Sequence, residues 1–164
     1  MGFLDAVLYG ARLFVEEPKR SLLIEEIQHA FETREAPEDL RIPVYDEHSA
    51  RRARLAVRHL AERVGAKKLV TLRAATALSE LTRNVLMYAR QGVVEVELRH
   101  DPTMLRVVVS DEGPGIADLE VVLSGRYRSK TGLGRGITGV QKLADGFRIE
   151  TGPTGTRVEF EMDL

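Results

Sequence analysis

An α/β domain with a mostly antiparallel sheet is what this sequence predicts, and three observations carry the prediction. Val93 to Arg99 and Met104 to Ser110 alternate apolar with polar residues and are joined by His100-Asp101-Pro102-Thr103, as a hairpin requires. Phe147 to Glu150 and Thr156 to Phe160 do the same across Gly152-Pro153-Thr154-Gly155. Before and between these hairpins lie segments whose apolar residues recur at helical spacing, each with a single buried stripe to place against something.

The totals narrow the class. At 164 residues the chain suits one domain with a short appendage. Its 24 Lys and Arg nearly balance its 25 Asp and Glu, so no global field favours nucleic acid or an anionic membrane. The absence of cysteine removes disulfides, thiolate metal sites and thiol nucleophiles. No apolar run is long enough to span a bilayer, and the apolar N-terminus is broken by Asp5, Arg12 and Glu16 without a basic opening. A cytoplasmic protein is the expectation.

Taken in order, Phe3 to Glu17 carries Leu4, Val7, Leu8, Ala11, Phe14 and Val15 at helical spacing and stops at Pro18. A second helix begins near Ser21, carries Leu23, Ile24, Ile27, Ala30 and Phe31 on one stripe, and ends before Pro37. This pair either packs on its own domain or serves as a docking or dimerising element. Arg41 to Tyr45 reads as an edge strand, where Pro43 is tolerated. Asp46 to Val64 is helical, with Ala53, Val57, Leu60, Ala61 and Val64 inward, Arg51, Arg52, Arg54, Arg58 and Arg63 outward, and Gly65 as the stop.

The helix expected from Lys68 to Ala89 carries the first chemistry. Val70, Ala74, Ala77, Leu78, Leu81, Val85 and Tyr88 form its core stripe, and Glu80 and Asn84 share a line at the stripe's edge. The pair is either a wet helix edge or a site, with Asn84 giving Mg²⁺ a neutral oxygen and Glu80 left free as a base. The strand Met104 to Ser110 then delivers Asp111 to Glu112-Gly113-Pro114-Gly115-Ile116, a carboxylate beside bare backbone and an acceptor for a planar N–H donor such as an adenine amino group. Ser124 to Thr131 is polar, basic and glycine-bordered, as a mobile lid would be. Gly132-Leu133-Gly134-Arg135-Gly136-Ile137 opens a helix through Val140, Leu143 and Ala144, and a glycine-rich helix start suits phosphate.

Two patterns mislead. The GxGxxG spacing of Gly134, Gly136 and Gly139 follows no strand, and Gly125 to Thr131 is one residue short of a P-loop. The four histidines, His29, His48, His59 and His100, lack metal-ligand spacing.

Glu80-Leu81-Thr82-Arg83-Asn84, Asp111-Glu112-Gly113-Pro114-Gly115-Ile116 and Gly132-Leu133-Gly134-Arg135-Gly136, in this order, resemble the three boxes of the GHKL ATP-binding superfamily. Arg41-Ile42-Pro43-Val44, Ala77 to Asn84 and Gly139-Val140-Gln141-Lys142-Leu143-Ala144-Asp145 are closer still to the RsbT-type switch serine/threonine kinases and their anti-sigma relatives. The likeness covers Arg41 to Leu164, and Arg135 departs from it, replacing the aliphatic residue usual in the glycine box.

That resemblance implies a Bergerat-type ATP-binding fold, a two-layer sandwich of a mixed, mostly antiparallel sheet covered by helices on one face. It divides the chain into an N-terminal helical extension, 1–38, and a kinase domain, 39–164. It implies ATP and Mg²⁺, with Glu80 as catalytic base, Asn84 as metal ligand and Asp111 receiving the adenine amino group. Gly113, Gly115 and Ile116 would shape the base pocket, with Thr156 near the adenine end. Lys130, Thr131, Gly132, Leu133, Gly134, Arg135 and Gly136 would serve the phosphates. The implied substrate is a STAS-domain antagonist protein in a bacterial partner-switching stress pathway. A sigma factor or PP2C-type phosphatase would be the second partner, and residues 1–38 a possible dimer contact. Two alternatives stand beside this. One is a nucleotide-gated anti-sigma or phosphatase-activating module without kinase activity. The other is a histidine-kinase-type catalytic domain with His29 as acceptor.

Overall fold

The computed structural model describes residues 39–124 and 133–164, the side chains of 133–135 excepted. The expected helices before Glu38 and most of the expected lid lie outside the described residues. Strand β1 (Asp39–Val44) leads into helix α1 (Glu47–Arg63) and helix α2 (Lys68–Asn84), which continues as a π-helical turn (Val85–Ala89). Strands β2 (Gly92–His100) and β3 (Thr103–Asp111) follow, then α3 (Leu119–Leu123), α4 (Leu133–Leu143), β4 (Gly146–Gly152) and β5 (Gly155–Asp163). The five strands form one sheet in the order β1-β2-β3-β5-β4, and every pairing among the described strands is antiparallel.

Local chemistry explains the boundaries. Asp46 caps α1 by accepting the Ser49 amide at 2.7 Å, while the Ser49 hydroxyl accepts the Asp46 amide at 3.0 Å, a reciprocal box that satisfies orphan N–H groups. The Ser49 bonds hold the Asp46 carboxyl below its ordinary pKa. At the other end Gly65 takes φ +75°, its amide reaches the Glu62 carbonyl, and the Ala66 amide reaches that of Ala61. That is a Schellman stop, so the predicted terminator acts as expected. Pro43 sits on the edge strand opposite Val93, as tolerance of a missing donor demands.

The core lies between the sheet and α1, α2 and α4. Val94, Val96, Leu105, Val107, Val109, Val158, Phe160 and Met162 meet Ala53, Val57 and Leu60 of α1, Ala74, Ala77, Leu78 and Leu81 of α2, and Val140 of α4. The opposite sheet face is charged. Arg106 donates to Glu159 at 2.6 Å and to Glu97 at 3.1 Å, and Arg157 approaches Glu95 and Glu159. Glu95 and Glu159 flank Val108 in the ladder, and Val108 is buried beneath this net.

Two expectations about helix faces change. Arg52, placed outward by periodicity, is buried, because α1 inserts a face wide enough to take in Ser49, Ala50, Ala53 and Ala56 as well. Tyr88, placed on the core stripe, is 42% exposed. The helix does not run unbroken to Ala89: the Val85 amide is shared between the Leu81 and Thr82 carbonyls, and the wider turn that follows rotates Tyr88 off the stripe.

Candidate functional site

Asp111 ends β3 between Gly92 on β2 and Thr156 on β5. Its Oδ1 accepts the Gly113 amide at 2.8 Å and the Thr156 amide at 3.3 Å. Among the described residues Oδ2 accepts no hydrogen bond, so one carboxylate oxygen is committed to the scaffold and the other is available. The group is half-buried. Gly115 holds φ +74°, and a Cβ there would overlap the Gly152 carbonyl. The Ile116 amide donates to Thr151 Oγ1 at 2.9 Å, and the Thr151 and Thr156 hydroxyls lie 2.9 Å apart. These bonds tie the loop after β3 to the β4–β5 hairpin.

A cavity of about 260 Å³ opens from this corner toward α2. Leu81, Val85, Val109, Ile116 and Val158 give it apolar walls, with Asp111 and Thr156 at one end and Asn84 on the α2 side. A flat aromatic base suits such walls, and convergent polar groups fix its orientation.

The α2 side holds the second half. The Asn84 side chain makes no hydrogen bond among the described residues. Glu80 is engaged by Arg83, whose Nη1 lies 3.1 Å from Oε1 and 3.2 Å from Oε2. The base position is therefore paired within its own helix, where the sequence reading left it free. Across from both stands the first turn of α4. A Cβ on Gly136 would come to 3.1 Å from Glu80 Oε2 and 3.8 Å from the Asn84 amide atoms. The absent side chain lets a helix start approach a carboxylate and an uncommitted amide together, which is a setting for anions and their counter-cation.

Asn84, Asp111, Gly115, Ile116 and Thr156 thus line one cavity, and Glu80 and Gly136 meet beside it. Gly113 is buried behind the wall and acts through its amide on Asp111. Leu133, Gly134 and Arg135 open α4, and Lys130, Thr131 and Gly132 lie outside the described residues. Sequence reasoning missed Thr151, Tyr88, Asp118 and Arg83. Tyr88 and Asp118 line the cavity, and Asp118 caps α3 by accepting the Val121 amide. Thr151 was findable, since it mirrors Thr156 across the four-residue turn.

A model of the histidine kinase-like ATPase domain matches residues 43–162. The chain belongs to the histidine kinase-like ATPase domain family. Within that family it is 35% identical over 101 residues to the serine/threonine-protein kinase RsbT of Bacillus subtilis, covering 60% of this chain and 76% of that protein. It is 28% identical over 97 residues to the anti-sigma F factor of Clostridium novyi, covering 54% and 68%. Among solved structures, the RsbU and RsbW domains of a Mycobacterium tuberculosis protein superpose with a TM-score of 0.57 at 22% identity. That match covers 77% of this chain and 32% of that one, so the chain spans about a third of its length. The SiaB–SiaC complex of Pseudomonas aeruginosa gives 0.56 at 11% identity, covering 87% and 99%. These structures share the fold, a helix-covered antiparallel sheet. The family is one of ATPase domains, which agrees with the expectation of ATP as the nucleotide. No helix among the described residues is long and apolar enough to cross a membrane.

Proposed function

We propose that this chain is an ATP-dependent serine/threonine protein kinase of a bacterial partner-switching pathway, with residues 39–164 as the kinase domain and a STAS-domain protein as substrate. The observation that carries the reading is the meeting of Gly136 with Glu80 and Asn84 at one edge of a cavity whose other end is Asp111. Adenine enters between Val109, Ile116 and Val158, and Asp111 Oδ2 accepts its amino group. The triphosphate then runs toward the first turn of α4. Asn84 fits Mg²⁺, since its amide oxygen is uncommitted and a hard cation takes oxygen ligands beside phosphate. When bound there, the ion would neutralise phosphate charge. Glu80 accepts the proton of the incoming serine or threonine hydroxyl, and Arg83 holds its carboxylate in place.

Incubation with Mg·ATP and a STAS-domain protein should yield acid-stable phosphoserine or phosphothreonine on that protein. Glu80→Gln should retain ATP binding and lose transfer by roughly 10²- to 10⁴-fold. Unchanged transfer would remove Glu80 from the base role, and an acid-labile phosphate on this chain itself would favour the histidine-kinase reading. The likeness to an anti-sigma factor favours a second, binding role toward a sigma factor or a PP2C-type phosphatase. Its check is nucleotide-dependent co-purification, with any dimer contact assigned to residues 1–38 tested on the same preparation by light scattering.

A further inference from the structure

Helix α2 buries Ala74, Ala77, Leu78 and Leu81 in the core, yet two of its leucines are exposed. Leu69 is 67% and Leu72 63% exposed, more than any other large apolar side chain among the described residues. At about 100° per residue, Leu69, Leu72, Thr76, Glu80 and Arg83 fall within about 80° of the helix circumference. The exposed leucines and the base therefore share one line, and eight residues of helix separate Leu72 from Glu80 by about 12 Å. The border of this face is cationic. Lys67, the cap residue, and Lys68 are exposed at the end of α2 nearest Leu69 and take part in no ion pair among the described residues, while Arg83 at the far end is paired with Glu80. The acids of the neighbouring elements do not offset them, because Glu62 is engaged by Arg58 and Asp145 by Arg73.

We infer that this outer face of α2 docks the protein substrate, through a segment that seats apolar side chains on Leu69 and Leu72 and carries acidic residues toward Lys67 and Lys68. The inference rests on the kinase reading above and adds where the substrate binds and what chemistry it presents. A segment held at the leucines has the length of about two to three helical turns in which to bring its hydroxyl to Glu80. Apolar anchors supply affinity, and the charged border fixes register and speeds encounter. Neither leucine nor lysine lines the nucleotide cavity, so the face is separable from ATP binding.

The test uses the full chain, with the STAS-domain protein that the wild type phosphorylates as probe. Leu69→Ser/Leu72→Ser should raise KM for that protein by roughly tenfold or more. The kcat, the ATP affinity by calorimetry and the melting temperature should stay unchanged. Lys67→Glu/Lys68→Glu should also raise KM, and should remove part of its dependence on salt. An unchanged KM in the leucine variant overturns the docking face, as does a change of oligomeric state without a change of KM, which would give the leucines to a second copy. An unchanged KM in the lysine variant overturns the acidic partner. Wild-type protein that binds ATP but phosphorylates no STAS protein instead sinks the parent reading, a failure told apart by this control.

Discussion

Replacing Asp111 with Asn changes what the cavity offers a base while leaving the scaffold bonds in reach. The amide oxygen can keep the position of Oδ1, accepting from Gly113 at 2.8 Å and Thr156 at 3.3 Å. The NH₂ group then replaces Oδ2 and faces the adenine amino group, donor against donor. The variant loses a charge-assisted hydrogen bond of roughly 1.5 to 3 kcal/mol. That is about ten- to a hundredfold in ATP affinity. Titration calorimetry with Mg·ATP reads this loss directly, and inorganic triphosphate supplies the control, since it lacks the base. We expect the full loss for ATP and little for triphosphate, with a melting temperature close to that of the wild type. Equal losses for the two ligands would show that Asp111 does not read the base, and no loss for either would remove it from the site.

Gly115→Ala forces a side chain into φ +74° and against the Gly152 carbonyl, so it should cost roughly 1 to 3 kcal/mol of stability and weaken ATP binding with it. A thermal melt and binding curve like those of the wild type would contradict the close approach. Acid should destabilise the fold through its paired carboxylates. The Arg106 guanidinium holds Glu159 below its ordinary 4.5, Arg99 and then Arg106 do the same for Glu97, and Arg73 holds Asp145 below 3.8. Folded values below unfolded ones mean stability that is complete above about pH 5 and is lost as pH falls through the carboxylate range. Arg106→Gln should flatten part of that decline in a melting-temperature profile, and an identical acid limb in both proteins would refute the assignment.

The sheet and the stops were legible because their signals are local. Alternation placed β2 and β3 within a residue or so of their observed ends, and Gly65 and Asp46 mark α1 by backbone chemistry that needs no tertiary context. The site's three segments were legible as short glycine and carboxylate motifs, and four predicted site residues of the first two, Asn84, Asp111, Gly115 and Ile116, line one cavity. What escaped depends on neighbours. The π-helical turn contains no proline or glycine, so nothing in Val85 to Ala89 announces the change of pitch that moves Tyr88 to the cavity. Arg83 reads as one more solvated charge until its reach to Glu80 is seen. Arg52 sits where a helical wheel puts solvent, and only the depth to which α1 inserts buries it.

The central claim is that one nucleotide spans the cavity, base at Asp111 and phosphates beside Gly136, Asn84 and Glu80. A crystal structure of the full chain with Mg²⁺ and a non-hydrolysable ATP analogue measures this directly. The account predicts the adenine amino group within hydrogen-bond distance of Asp111 Oδ2, the metal on the Asn84 oxygen and the terminal phosphate beside Glu80. Analogue density elsewhere on the sheet, or phosphates turned away from the first turn of α4, would contradict it.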